Sequence, residues 1–484
     1  MSVKLSTNSS LPASISSIRV LGGEYTRNSF LQRIFSPIVS DSQSNAQTLQ
    51  TVVQAVEKGV SQLHRLGKCK PSVANRRLTG ADIFQYPIPI IYALSDPSDP
   101  SSTPTDLDIL LPVKERSRLL LKTGTDVGNA EGSAYVNALG RNVFGGAETV
   151  NLNAAYGTRT RSAYQGSFDT PILSNPNLRW ELGGLASSTQ KAWASHEEVL
   201  KGGWTKLKWL MENGSRHELA YNGVWRQVTG LAAEASRTVR GEAGDSFKSS
   251  ISHVWWRDRR DNPLLPSSGY MTKSLVELAG WGPMQGDVAF GKAELEAQCA
   301  LPIPRPRVMG GSGVSLTTGL RTGMLYPLPL GLGTDAGPSR INDRFQLGGP
   351  TDVRGFRLSG LGPHDGKDAV GGDVYAAGSA NLLFPIPRTG VDKPFRFQTF
   401  INGGRLLALK GPAKGGGDSQ SAQQRITSTL AEMTNGLPSI SAGFGLVYAA
   451  PMARLELNFS LPLVLRKGEE GRKGLSFGIG INML

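Results

Sequence analysis

Residues 453–461 read ARLELNFSL, and the alternation in that stretch decides the fold. Ala453, Leu455, Leu457, Phe459 and Leu461 take every second place, with Arg454, Glu456, Asn458 and Ser460 between them. An extended chain therefore presents one wholly apolar face and one wholly polar face, whereas a helix would mix the two. Residues 475–483, LSFGIGINM, repeat the pattern: Leu475, Phe477, Ile479, Ile481 and Met483 stand against Ser476, Gly478, Gly480 and Asn482. Strands of soluble proteins average about 5 to 6 residues. Runs of about ten are what a tilted strand needs to cross a bilayer.

Working outward, sixteen such runs follow one another from 118–127 to 474–484, among them 160–171, 178–187, 202–212, 269–279, 394–405, 439–449 and 452–462. The long connections, 188–201, 229–245, 326–371 and 406–438, all follow odd-numbered runs. Even-to-odd connections such as SNPN (174–177) and MENGS (211–215) are short. Long loops at one end and tight turns at the other are the mark of a transmembrane barrel. The expectation is a mainly β protein, with a sixteen-stranded antiparallel transmembrane β-barrel over 118–484 and a long sixth loop at 326–371. A large soluble sandwich or propeller would have shorter strands and no such sidedness.

Composition agrees. The chain has 59 Gly in 484 residues, about 12% against a usual 7% or so, which suits many tight turns. Mean hydropathy is −0.21, and no run approaches the roughly 18 apolar residues of a spanning helix. The net charge of +13 is scattered over strands and loops, which fits an anionic lipid surface and gives no nucleic-acid footprint. The opening residues MSVKLSTNSS lack the apolar core of a signal peptide, so targeting is expected to rest on internal signals.

Residues 1–115 read as an N-terminal extension and a small α+β domain. A short strand at 17–20 precedes a helix that Thr26 caps, with Phe30, Leu31 and Ile34 on its apolar side and an expected stop at Pro37. Leu49, Val52, Val53, Val56, Val60 and Leu63 form one stripe of a second helix. Two strands follow near 83–94 and 107–113.

Catalytic chemistry finds no constellation. The five histidines, His64, His196, His217, His253 and His364, form no HExxH, and there is no GxSxG elbow. The glycine-rich stretch LGGPTDVRGFRLSGLGP (347–363) is not followed by GKS or GKT, so it is no phosphate cradle. No enzyme activity, cofactor or metal site is expected. Trp204, Trp209, Trp225, Trp255 and Trp256 lie in or near strand ends, as interfacial girdles do.

Within that stretch Val353, Arg354, Gly355 and Phe356 resemble the VRGF signature of the sixth loop in outer-membrane insertase barrels, the BAM-type proteins of bacteria and SAM-type proteins of mitochondria. DNPLLPSSG (261–269) and NVFGGAE (142–148) are also similar to that family, and the N-terminal unit resembles one POTRA domain. The resemblance implies that Arg354 reaches into the lumen. Asn381 and Asn402 stand where bacterial members carry its acidic partners, so amide oxygens are the expected acceptors. It further implies a mitochondrial outer-membrane protein with its N-terminal domain in the intermembrane space. The implied partners are β-barrel precursor proteins, smaller SAM subunits on the cytosolic face, outer-membrane lipid, and a second copy or another barrel; nucleic acid is not among them. A lateral gate would lie between Leu119, Leu121, Thr123 and Gly124 of the first strand and Phe477, Gly478, Ile479, Gly480 and Ile481 of the last. Glycines there are expected to weaken packing along the seam. Ser476, Gly478, Ile481 and Met483 match the signal pattern of a last strand in mitochondrial barrels. A polypeptide or metabolite channel is the alternative reading.

Overall fold

The computed structural model describes residues 10–44, 47–65, 84–85, 90–93, 105–128, 131–303, 313–331, 336–386, 394–409, 422–450 and 453–480. Sixteen strands form one antiparallel sheet in strict chain order. They are β1 (Leu119–Gly128), β2 (Glu131–Arg141), β3 (Thr149–Gly157), β4 (Thr160–Pro171), β5 (Leu178–Lys191), β6 (His196–Leu210), β7 (Arg216–Thr229) and β8 (Gly244–Asp258). Then come β9 (Gly269–Ala279), β10 (Phe290–Pro302), β11 (Ser315–Pro327), β12 (Val374–Pro385), β13 (Phe395–Leu407), β14 (Ser439–Ala449), β15 (Arg454–Val464) and β16 (Gly474–Gly480). The sheet curls until β16 comes beside β1.

The alternation of the sequence sorts the two faces. On β15, Arg454, Glu456, Asn458 and Ser460 are buried in the lumen, while Leu457 and Leu461 are exposed on the outer wall with Phe444, Leu475 and Phe477 of its neighbours. Only a surrounding hydrocarbon makes that arrangement favourable. Of the five tryptophans, Trp209 and Trp225 share the outer parity with exposed Leu219 and Tyr221, and Trp255 shares that of Ile251. Trp204 instead turns inward and donates to Glu181 at 2.7 Å.

Two expectations are corrected, the connection 188–201 and the stop at Pro37. The connection 188–201 is largely strand, because β5 and β6 stay paired as far as Lys191 and His196. Lys191–Glu198 at 3.2 Å and Arg161–Glu197 at 3.1 Å hold this part of the sheet together. The connection 406–438 holds a helix, Ala422–Asn435, whose end accepts from Arg405 through Met433 O at 3.3 Å. The N-terminal helix does not stop at Pro37 but runs from Asn28 to Ser44, since Phe35 on one side of the proline and Ile38 and Val39 on the other all pack on the same core.

The N-terminal unit has the order strand (Pro12–Leu21), helix (Asn28–Ser44), helix (Leu49–Arg65) and two strands (Ile90–Ala93, Asp106–Pro112). The first strand pairs in parallel with the last. Val52, Val56 and Leu63 of the expected stripe are fully buried against Ile15, Ile109 and Leu111. Gly59 permits the close helix contact, because a Cβ there would lie 2.8 Å from Ile38.

This unit docks on the β2–β3 turn, which is NVFGGAE. Asn142 and Ala147 adopt φ of 51° and 63°. Glu148 holds the turn by accepting from Gly146 N at 2.7 Å and Phe144 N at 3.3 Å, and it also takes Arg27 at 2.7 Å. Arg27 N donates to Gly145 O at 2.9 Å and the Asn142 amide donates to Thr26 Oγ1 at 3.2 Å. Glu148→Ala should therefore loosen both the turn and the joint, at about 1 to 3 kcal/mol for the orphaned donors. Arg27→Ala, removing a half-exposed partner, should cost under about 1 kcal/mol. Spin labels on the Leu49–Arg65 helix and on the barrel rim should report a broadened distance distribution in Glu148→Ala alone; an unchanged distribution there would refute the joint.

Candidate functional site

The connection from β11 to β12 folds back into the lumen. Phe345, Leu347, Val353, Phe356 and Leu361 form a core with Leu325, Tyr375, Ala377 and Leu406 of the wall. Gly348, Gly349, Gly355 and Gly362 take positive φ along this path. At Gly355, with φ of 84°, a Cβ would meet Ser441 Cβ at 2.7 Å, so the third position of the signature admits only glycine.

Arg354 is wholly buried. Its Nε donates to Glu456 Oε2 at 2.9 Å and its Nη2 to Glu456 Oε1 at 3.2 Å, a bidentate fork. The guanidinium also lies over the Phe400 ring at 5.0 Å. Of the two expected amides, Asn381 accepts from Nη1 at a long 3.4 Å. Asn402 meets the arginine's backbone instead: with its nitrogen turned toward Ser441 Oγ, it accepts from Arg354 N and donates to Arg354 O, each at 3.2 Å. The expectation of a cation held by amides alone is thus corrected, because its main acceptor is a carboxylate on β15. The signal was present in the sequence. Glu456 is an acid on the lumen face of ARLELNFSL, but the family pattern directed attention to β12 and β13.

Glu456 is itself shared. Arg454 lies 2.6 Å from its Oε1, Asn458 donates to it at 2.7 Å and Gln398 at 3.2 Å.

The loop is also tied to the segment that leads into β16. Arg357 N donates to Glu470 O at 3.0 Å, Glu470 N to Gly360 O at 2.8 Å and Arg472 N to Gly355 O at 2.8 Å. Gly478 of β16 faces the loop directly, since a Cβ there would lie 3.2 Å from Pro350 O. The glycine on the last strand is therefore contact surface for the loop.

At the seam, among the described residues, β16 pairs only with β15, through Gly474–Gly480 opposite Arg454–Ser460, and β1 only with β2. Among the described residues no ladder joins β1 to β16. Leu119 and Leu121 are 69% and 63% exposed on the outer side, and Phe477 is 48% exposed. Thr123 pairs with Val136, Ile479 with Leu455 and Gly480 with Arg454. Gly124 is not bare, because the Tyr135 ring from β2 occupies its place and a Cβ would meet the phenol oxygen at 2.7 Å. Ser476 lies opposite Asn458, whose carbonyl accepts its hydroxyl at 3.4 Å. Ile481 and Met483 lie outside the described residues. A cavity of about 1460 Å³ opens at this end of the barrel, with Gly132, Thr158 and Trp193 on one side and Arg357, Arg472 and Phe477 on the other.

Comparison with known proteins gives consistent results. The Omp85 superfamily domain matches residues 142–483. A SAM50-like protein of Schizosaccharomyces pombe is 38% identical over 482 residues, covering 99% of this chain and 93% of its own length. The sorting and assembly machinery component 50 homolog A of Xenopus laevis is 36% identical over 388 residues, with coverage of 79% and 77%. Among solved structures, BamA from Haemophilus ducreyi lacking POTRA domains 1–3 shares the fold, with a TM-score of 0.70 at 16% identity over 97% of this chain and 84% of that one.

Proposed function

The chain belongs to the Omp85 superfamily, and from that membership we propose that it is the β-barrel-inserting subunit of a sorting and assembly machinery in the mitochondrial outer membrane. The physical task is the unfinished edge. A client strand entering lipid carries backbone groups that find no water, and each unsatisfied group is costly. A helper with an edge of its own can satisfy them by strand addition.

The observation that carries this reading is the junction of β1 and β16, where neither edge is laddered to the other among the described residues. An incoming strand pairs with the free edge of β1, and successive strands follow until the client closes on itself. The sixth loop, bonded to the segment before β16, reports the position of that strand to the lumen anchor at Arg354. The N-terminal unit is a POTRA domain that receives clients beneath the barrel. Smaller subunits on the cytosolic face, surrounding lipid and a second barrel complete the working assembly. No nucleotide motif occurs in the sequence, so the drive is the client's own folding. The channel reading fares worse, because the packed loop core occupies the lumen.

A photo-crosslinker at Thr123 should capture a stalled client strand, whereas one at Tyr164 in the middle of the wall should not; equal capture at both would reject the seam. Sidedness follows from the joint at the β2–β3 turn, which puts the N-terminal unit at the even-to-odd end of the barrel. Protease added to intact mitochondria should spare residues 10–115 and reach the connection 408–438. Loss of the N-terminal unit before the outer membrane is ruptured would overturn this topology.

A further inference from the structure

The lumen holds more positive charge than the anchor needs. Arg454, at the start of β15, is 6% exposed. Besides Glu456 it reaches Gln398 Oε1 at 3.0 Å and Leu264 O at 3.4 Å, and its Nε has no hydrogen-bond partner. Arg260 stands nearby, forked onto Asp258 at 3.0 and 2.9 Å and donating to Gln298 Oε1 at 2.6 Å. Among the described residues the cluster thus contains three guanidiniums, Arg260, Arg354 and Arg454, and two carboxylates, Asp258 and Glu456. One positive charge is left over in a place water reaches poorly, and an uncompensated buried charge is strongly unfavourable.

A small cavity lies against this excess. Its volume is about 20 Å³, and Arg260, Arg454, Gln298, Thr317, Ser379 and Asn381 line it. That is room for one particle about the size of a water molecule. Pro263 and Pro266 of DNPLLPSSG close one side. The turn is held in place by Asn262 Oδ1, which accepts from Leu264 N at 3.0 Å, by Asp261, which accepts from Ser267 N at 3.0 Å, and by Ser315 Oγ, which donates to Pro266 O at 3.2 Å. The β8–β9 turn is thereby folded inward over the cationic cluster.

We propose that this cavity binds a single monatomic anion, chloride under ordinary conditions, beside the Nε of Arg454. The small space beside an unpartnered guanidinium N–H suits a compact anion. The surplus guanidinium excludes a metal cation, and a water molecule would leave the charge uncompensated. The anion neutralises the cluster and joins the β8–β9 turn to β15, so it steadies the strand that carries the partner of Arg354.

The test uses the full chain purified in detergent. Crystals grown in bromide in place of chloride should show an anomalous peak within hydrogen-bonding reach of Arg454 Nε, and crystals of Arg454→Gln should lack it. In solution at constant ionic strength, replacing gluconate by chloride from about 10 mM to about 300 mM should raise the unfolding midpoint of the unmodified protein by roughly 2 °C, as ligand linkage requires. Arg454→Gln should lose that dependence. An unmodified protein without a bromide peak in this cavity, or with the same midpoint in gluconate and chloride, would overturn the site, because water would then be its occupant. Those two readouts need no variant and stand even if Arg454→Gln does not fold.

Discussion

A disulfide across the β1–β16 junction should stop client assembly while leaving the barrel folded and in the membrane. Cys69 and Cys299 are first replaced by serine, and cysteine pairs are then placed at Thr123 or Leu121 on one edge and at Ile479 or Phe477 on the other. The outer parity of Leu121 and Phe477 keeps the latter pair on one face. Opening this junction should be the least costly in the sheet. Every other neighbouring pair is joined by a ladder, with cross-strand pairs worth about 0.2 to 1 kcal/mol each, while β1 and β16 share no described ladder. A covalent bridge removes that freedom without touching the anchor at Arg354. Imported precursors should then accumulate unassembled, and reduction should restore assembly to the rate of the serine background. A bridged protein, verified by gel shift, that still assembles barrels at the normal rate would eliminate lateral opening and leave a route through the lumen or through thinned lipid.

The fold was largely legible because lipid imposes a period of two on every strand, and that period survives in a single sequence. ARLELNFSL displays it without exception, and the runs 160–171, 269–279 and 439–449 coincide with β4, β9 and β14. Reading failed where the polar rule changes. Beyond the bilayer the β5–β6 hairpin keeps its backbone ladder but carries polar side chains such as Gln190, Lys191, Glu197 and Glu198, so it resembles a loop in sequence. The lumen is the other such place. Polar residues line all of its walls, and nothing in a linear pattern says that Arg354 reaches a carboxylate about a hundred residues downstream. A single useful rule was available: a buried guanidinium needs an anion, and few acids lie on the lumen faces of the last strands. Gly124 misled for a different reason, since the ring that fills its space belongs to Tyr135 on the neighbouring strand.

Glu456→Gln should damage the sixth loop more than Arg354→Ala does, although the family signature contains the arginine. Glu456 is the anion for two guanidiniums at once. Making it neutral leaves Arg354 and Arg454 facing each other in a buried site, a loss of about 3 to 5 kcal/mol for a broken buried pair. Arg354→Ala removes one cation and leaves Arg454 to keep Glu456, so the cost falls to about 1.5 to 3 kcal/mol for lost hydrogen bonds to a charged group. Neither loss should unfold a sixteen-stranded barrel; each should shift the loop out of the lumen. Trypsin cleavage at Arg357 and Arg344 reads that shift directly, and client assembly should slow in the same order. In the double variant Arg354→Ala with Glu456→Gln, the excess charge returns to its original value. Its damage should therefore be less than the sum of the singles, by about 0.5 to 3 kcal/mol of coupling. Equal or greater damage from Arg354→Ala, or strict additivity in the double variant, would mean that Glu456 is not the shared counter-ion and that the anchor depends on the amides of Asn381 and Asn402 after all.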